Sequence, residues 1–291
     1  MIRPSARSRF RVWWPGSICL PAVLFLCFLS APLACAQEVT FRISPSVPDA
    51  MGAEIQKLFA QSLEFLTADL GVTLSHPVTV FVYGSQREIY DGLASDLGYS
   101  EAAAREVAAN ASLFVIGRRL FLNAAEPVFV DPPRLGDRAR VISHELAHVL
   151  HNDLMGDGAR APQWFKEGFA VRMELRTADH LGFRSGARDA QEYLNLTLFG
   201  FRRNQLVPLT DLGLFSRWQE HLQREGAERV YAQSFVAIEY LTRTRGQQAV
   251  LAYFRAFQSS RDASANFNGA FGLTVEAFDQ EFVGYLASQS R

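Results

Sequence analysis

The chain has 291 residues, 29 basic and 30 acidic, and a formal net charge of −1 with histidine neutral. Nothing in that near balance suggests a nucleic-acid or anionic-membrane partner. With 48% hydrophobic residues, the chain can bury a substantial core and does not have the composition of a disordered protein.

The first 36 residues read as a secretory signal rather than as part of a fold. Arg3, Arg7, Arg9 and Arg11 form a basic start, an apolar run follows from about Ile18 to Leu33, and Ala34-Cys35-Ala36 offers a small-x-small cleavage site. Residues 1–36 are therefore predicted to be a signal peptide cleaved after Ala36, which makes the mature protein secreted or periplasmic. An uncleaved membrane anchor is the alternative reading. The apolar run falls short of the roughly 20 residues of a spanning helix, and Pro21 interrupts it. No later segment is apolar enough to span, so no stable membrane insertion is expected after cleavage. Cleavage removes four basic residues and no acidic one, leaving 255 residues with a net charge of −5. Cys19, Cys27 and Cys35, the only cysteines, leave with the signal. A cysteine-free mature chain has no disulfides and no thiol chemistry, and it can hold a metal only through histidine and carboxylate.

Val39-Thr40-Phe41-Arg42-Ile43 alternates apolar and polar residues, the pattern of a half-buried strand. From Asp49 to Leu70, Ile55, Leu58, Phe59, Leu63, Leu66 and Leu70 recur at helical spacing, and Gly71 marks the end. Val78 to Tyr83 is a β-branched and aromatic run that predicts a second strand. Residues 86–110 read as two short helices, and Ser112 to Val115 with Arg119 to Asn123 as a strand pair joined around Gly117. From about Pro133 the pattern turns helical. One helix is predicted from Leu135 to His151, and another from Pro162, at a favoured early position, to about Arg176. Segment 177–213 is Gly-rich and reads as an irregular functional loop or flap. Ala227 to Arg243, Gly246 to Ser259 and Thr274 to Ala287 are predicted as three closing helices. Strands first and helices afterwards predict an α+β fold in one domain over residues 37–291, strand-rich over about 37–132 and helical over about 133–291.

The chemistry centres on His144-Glu145-Leu146-Ala147-His148. Residues four apart on a helix lie one turn above each other, so two imidazoles at that spacing can converge on one zinc ion. Glu145 points about 100° away around the helix and reaches toward a water at the metal rather than the metal itself. The bland alternative is an amphipathic helix, with Ile142, Leu146, Val149 and Leu150 inward and the polar residues merely wet. A third ligand shifts the balance, because catalytic zinc commonly has three protein ligands and one open position. Eighteen residues separate His148 from Glu167, and Gly156-Asp157-Gly158 is a turn that lets the second helix fold back on the first. Gly168 and Ala170 are small enough for close helix–helix approach.

His144-Glu145-x-x-His148, eighteen residues, and then Glu167 within Trp164-x-x-Glu167-Gly168-x-Ala170 resembles the gluzincin metallopeptidases. The second segment is especially similar to the aminopeptidase N branch. The closer resemblance is to the peptidase MA-like domain family of small exported metallopeptidases. It extends to the strand Val78–Tyr83, the Gly-containing strand pair, the helix with Tyr231-x-x-Ser234-Phe235, and Gly272-Leu273-x-x-Glu276 followed by an aromatic near Phe282.

The resemblance implies a zincin-like helical half, a Zn2+ ion on His144, His148 and Glu167, Glu145 as general base, and hydrolysis of a peptide or protein substrate. It also implies an oxyanion-stabilising role for Tyr231, 64 positions beyond Glu167. The alternative for Tyr231 is a half-buried aromatic on an apolar helix, and Tyr240 is a more distant candidate. The Gly-x-Met-Glu-Asn segment that grips a free amine in aminopeptidases has no counterpart between Ser112 and Ile142, where Glu126 is the only glutamate. Aminopeptidase specificity is therefore not expected. His151, three residues beyond His148, reads as a helix-face or cleft-lining histidine rather than a ligand. The rival from another class is a catalytically silent zincin-fold binding or assembly module of the cell envelope. A structural zinc site fits poorly, since such sites usually have four protein ligands and often cysteine. Nothing in the sequence specifies an oligomeric state.

Overall fold

The computed structural model describes residues 38–291 apart from 111–112, 131–134 and 159. The predicted signal segment, residues 1–36, lies outside them. Four strands, β1 (Val39–Ile43), β2 (Val78–Tyr83), β3 (Leu113–Ile116) and β4 (Arg119–Asn123), form one sheet in the order β1-β2-β4-β3. β1 and β4 run parallel to β2, with Val39 opposite Val78 and Thr79 opposite Arg119. β3 turns back antiparallel on β4 and forms an outer strand. The turn between them needs Gly117, whose φ of 61° lies in the left-handed region that side chains avoid.

The sheet separates two cores. Successive side chains of a strand point to opposite faces, so Val78, Val80 and Val82 enter the large core while Phe81 and Tyr83 enter a smaller one. That burial on both sides explains why β2 reads as an apolar run rather than an alternation. The smaller core is closed by α2 (Gln86–Ser95) and α3 (Glu101–Asn110), through Ile89, Leu93, Ala104 and Ala108. On the other face lie α1 (Asp49–Leu70), ended by Gly71 at φ 63°, the short α4 (Pro127–Val130), and α5 (Leu135–Met155). α6 (Gln163–His180) packs on α5 and on α9 (Ala227–Arg245). An aromatic cluster holds the far side of α6. Its Trp164, Phe165 and Phe169 meet Tyr253 and Phe254 of α10 (Gln247–Ala256), Phe267 of α11 (Ala263–Phe271) and Phe278 of α12 (Val275–Gln289). The architecture is α+β as predicted, a small sheet followed by a mostly helical region.

One expectation is overturned. Segment 177–213 is not a flap: α6 continues to His180, and α7 (Gly186–Arg202) fills most of the remainder. Ser185 caps α7 by accepting from the Arg188 N–H, and Tyr193, Leu194, Leu198 and Phe201 recur at helical spacing on a face packed against the core and α9. The glycines that suggested irregularity lie at the edges of this helix, with Gly186 close against Asp179 and Gly200 beside Arg229. Two further helices join those predicted near the C-terminus: α8 (Phe215–Glu225) and α11. No helix among the described residues is long and apolar enough to cross a membrane.

Candidate metal centre

The centre lies where α5, α6 and α9 meet beneath β3. His144 and His148 project from α5 one turn apart, and Glu167 projects from the first turns of α6. The two Nε2 atoms are 3.2 Å apart, and Oε2 of Glu167 lies 3.3 Å from His144 Nε2 and 3.5 Å from His148 Nε2. A tetrahedral zinc with ligand distances of about 2.0–2.1 Å requires ligand atoms about 3.3–3.4 Å apart. The three atoms thus form one face of such a tetrahedron, and they constitute the one cluster of potential metal ligands found among the described residues. His144, one of the three, also lines a cavity.

Each ligand atom is aimed by a contact behind it. Gln163, one turn before Glu167, donates its amide N–H to Oε1 at 2.7 Å and leaves Oε2 for the histidines. His144 donates from Nδ1 to Oε2 of Glu174 at 3.0 Å. Glu174 is in turn held by Arg140, whose Nε donates to its Oε1 at 2.9 Å and whose second guanidinium nitrogen also contacts the hydroxyl of Tyr193. His148 Nδ1 lies 2.8 Å from Nε2 of His151. With both Nδ1 atoms acting as donors, the two Nε2 lone pairs and a carboxylate oxygen converge on one point. A cation is the partner that satisfies them all.

The electrostatics agree with a cation site. Burial alone would raise the Glu167 carboxyl, yet the two imidazoles hold it well below the usual carboxylate range. Burial opposes charge on His144, but the carboxylates of Glu167 and Glu174 raise it well above an ordinary imidazole, so positive charge is favoured at this point. Glu174 is lowered despite its burial, through His144 and Arg140.

A cavity of about 410 Å³ opens beside the ligands, lined by Leu113 of β3, Val141, His144, Glu145, Val171, Glu174, Tyr193, Glu228 and Tyr231. Glu145 is buried at its wall, and burial, the largest influence, raises its carboxyl. Tyr231 stands across the cavity on α9, its ring 6.2 Å from that of His144 and propped edge-on by Trp218 of α8 at 5.3 Å. Burial first, then the carboxylates of Glu167, Glu145 and Glu174, push its phenol upward and keep the hydroxyl protonated. The α6–α9 approach that brings Tyr231 there depends on Gly168, where a Cβ would overlap the Ser234 carbonyl oxygen and the Ile238 side chain. Thus the small residue admits α9, rather than setting the distance to α5.

The structure brings His144, Glu145, His148, Glu167 and Tyr231 together and leaves other candidates outside. Tyr240 stacks on Tyr285 at 4.6 Å, away from the cavity. Glu126 is within 3.4 Å of the Asn123 amide and does not line the cavity. His151 does not line it either, being buried behind His148. Sequence reasoning did not single out Glu174 or Arg140. Glu174 lies seven residues, close to two helical turns, beyond Glu167 on the same face, and that spacing was the available signal.

A helix with paired histidines and a following glutamate, set below a mixed sheet, defines a zincin-type site. Residues 59–288 match the Peptidase MA superfamily, a group of zincin-like peptidases and related proteins. The chain belongs to that superfamily. None of the curated proteins compared with the chain matches it.

Proposed function

We propose that this protein is an exported zinc metallopeptidase that hydrolyses peptide bonds at the His144–His148–Glu167 centre. The observation that carries the reading is the triangle of ligand atoms, 3.2, 3.3 and 3.5 Å on its sides, beside a cavity that His144, Glu145 and Tyr231 line. Bound zinc supplies a Lewis acid that polarises the scissile carbonyl and lowers the pKa of water. Glu145 takes the proton of the attacking water and passes it to the departing amine, a double task suited to a carboxyl raised by burial. Tyr231 donates its hydroxyl to the carbonyl oxygen as that oxygen becomes negative. Leu113, Val141 and Val171 make an apolar wall beside the reacting groups. β3 is an outer strand of the sheet and its Leu113 lines the cavity, so an extended peptide can pair along it.

Export rests on the N-terminal pattern of residues 1–36, and a specificity other than aminopeptidase on the missing amine-gripping segment. The test is digestion of casein by the zinc-loaded protein, with and without a chelator. Chelator-sensitive cleavage is expected, and Glu145→Gln should retain zinc while losing about 10²–10⁴-fold in kcat. Zinc bound without any cleavage favours the silent binding module, and normal turnover by a zinc-loaded Glu145→Gln protein contradicts the assignment of the base.

A further inference from the structure

The two histidines of the centre are held differently at their outer nitrogens. His144 Nδ1 meets a carboxylate, Glu174, clamped by Arg140. His148 Nδ1 meets a second imidazole, with Nε2 of His151 at 2.8 Å. His151 is one turn further along α5 and 2% exposed, so it stands behind His148 rather than at the surface. Phe254 of α10 stacks against its ring with centroids 5.2 Å apart and planes 16° apart, which fixes the orientation of the imidazole. Its Nδ1 is buried with no hydrogen-bond partner.

We propose that His151 is a positioning residue: as a neutral imidazole protonated on Nδ1, it accepts the Nδ1 proton of His148 and so commits His148 Nε2 to the metal. The inference rests on the reading that His144, His148 and Glu167 hold zinc. Proton counting carries it. Each neutral imidazole has one N–H, and a single proton occupies the contact between His148 Nδ1 and His151 Nε2. If that proton belongs to His151, His148 keeps its own proton on Nε2, pointing into the triangle where a ligand lone pair is required. If it belongs to His148, the Nε2 lone pair is free, and the proton of His151 must sit on Nδ1. Only the second arrangement makes His148 a ligand. A ligating histidine ordinarily donates its other N–H to a carboxylate, a backbone carbonyl or water. Here the acceptor is a neutral ring. His148 is oriented without a second buried negative charge behind the centre, and more of the cation's charge is left for the substrate.

The test measures zinc affinity by competition with a chromophoric chelator, for the wild type, His151→Leu and His151→Gln. His151→Leu removes the acceptor and should bind zinc about 10–100-fold more weakly. His151→Gln presents an amide oxygen to His148 Nδ1 and should bind close to the wild type. Thermal melting of the metal-free proteins separates this from a structural role, which would lower metal-free stability and leave zinc affinity alone. Wild-type affinity in a folded His151→Leu protein overturns the inference. Should that variant fail to fold, nitrogen-15 NMR of the zinc-loaded wild type decides: His151 protonated on Nδ1 supports the inference, and protonation on Nε2 overturns it. A wild-type protein that takes up no zinc overturns the metal reading and this inference together. One that binds zinc with His151 indifferent overturns this inference alone.

Discussion

At the residue scale, the centre divides its acids by what stands behind each. Glu174 is neutralised by Arg140 and occupied by His144. Glu167 is turned by Gln163 so that one oxygen is left for the metal. Glu145 has no such partner in the cavity wall, and its raised carboxyl is free to exchange a proton. Tyr231 stays protonated under the same carboxylates, which makes it a donor. Tyr231→Phe should lower kcat about 10²–10³-fold with KM little changed, as loss of one oxyanion donor does. Steady-state kinetics on a peptide substrate checks this, and a rise in KM at constant kcat would assign Tyr231 to substrate binding instead. The pH dependence of the metal-free protein follows from the signs of its shifts. The raised His144 stabilises the fold fully below the ordinary imidazole value of 6.5, and this is lost as pH rises through its folded value. The lowered Glu167 and Glu174 stabilise it above the ordinary carboxylate value of 4.5, and this is lost as pH falls through theirs. Thermal melts without metal should therefore show these groups stabilising most between 4.5 and 6.5. Zinc affinity should fall as pH falls, since a proton on His144 competes with the metal.

At the element scale, α6 does two jobs from opposite faces. Trp164, Phe165 and Phe169 anchor it in the aromatic cluster, while Gln163, Glu167 and Glu174 face the histidines. Gly168 sits between these roles, against the backbone of α9 three residues beyond Tyr231. Gly168→Ala should destabilise the protein by about 1–3 kcal/mol through overpacking and lower kcat by moving Tyr231. Denaturant unfolding and kinetics on the same variant check both effects, and unchanged stability would show that α9 can retreat without cost. Elements before Leu135, apart from the four-residue α4, were legible through their own punctuation, such as Gly71 after α1 and Gly117 between β3 and β4. α7 was not legible, since its glycines read as irregular and its apolar face is explained only by α9, distant in sequence. α8 is polar apart from the exposed Phe215, the buried Trp218 and the half-buried Leu222, so its periodicity is sparse. α11 is short, yet Asp262, which caps it by accepting from Ser264 and Ala265, and Gly272 at φ 75° were readable signals. The ligand set itself was legible because i, i+4 histidines and the tryptophan-to-alanine segment are local patterns. The contacts behind it, Glu174 and His151, needed the packing of α6 and α10 to acquire meaning.

At the scale of the whole molecule, membership of the Peptidase MA superfamily and the placement of the centre agree. The sheet supplies an outer strand above the cavity, α5 and α6 supply the ligand atoms, and α9 closes the far side with Tyr231. All three cysteines lie within residues 1–36, so residues 37–291 offer histidine and carboxylate as metal ligands, and the described residues gather them in one place. The central claim is that this place is a tetrahedral zinc centre, and anomalous scattering from crystals at the zinc absorption edge tests it most directly. The account predicts one peak about 2.0–2.1 Å from the Nε2 atoms of His144 and His148 and at similar range from Oε2 of Glu167. A zinc-supplemented crystal with no peak there, or with its zinc on other residues, would contradict it.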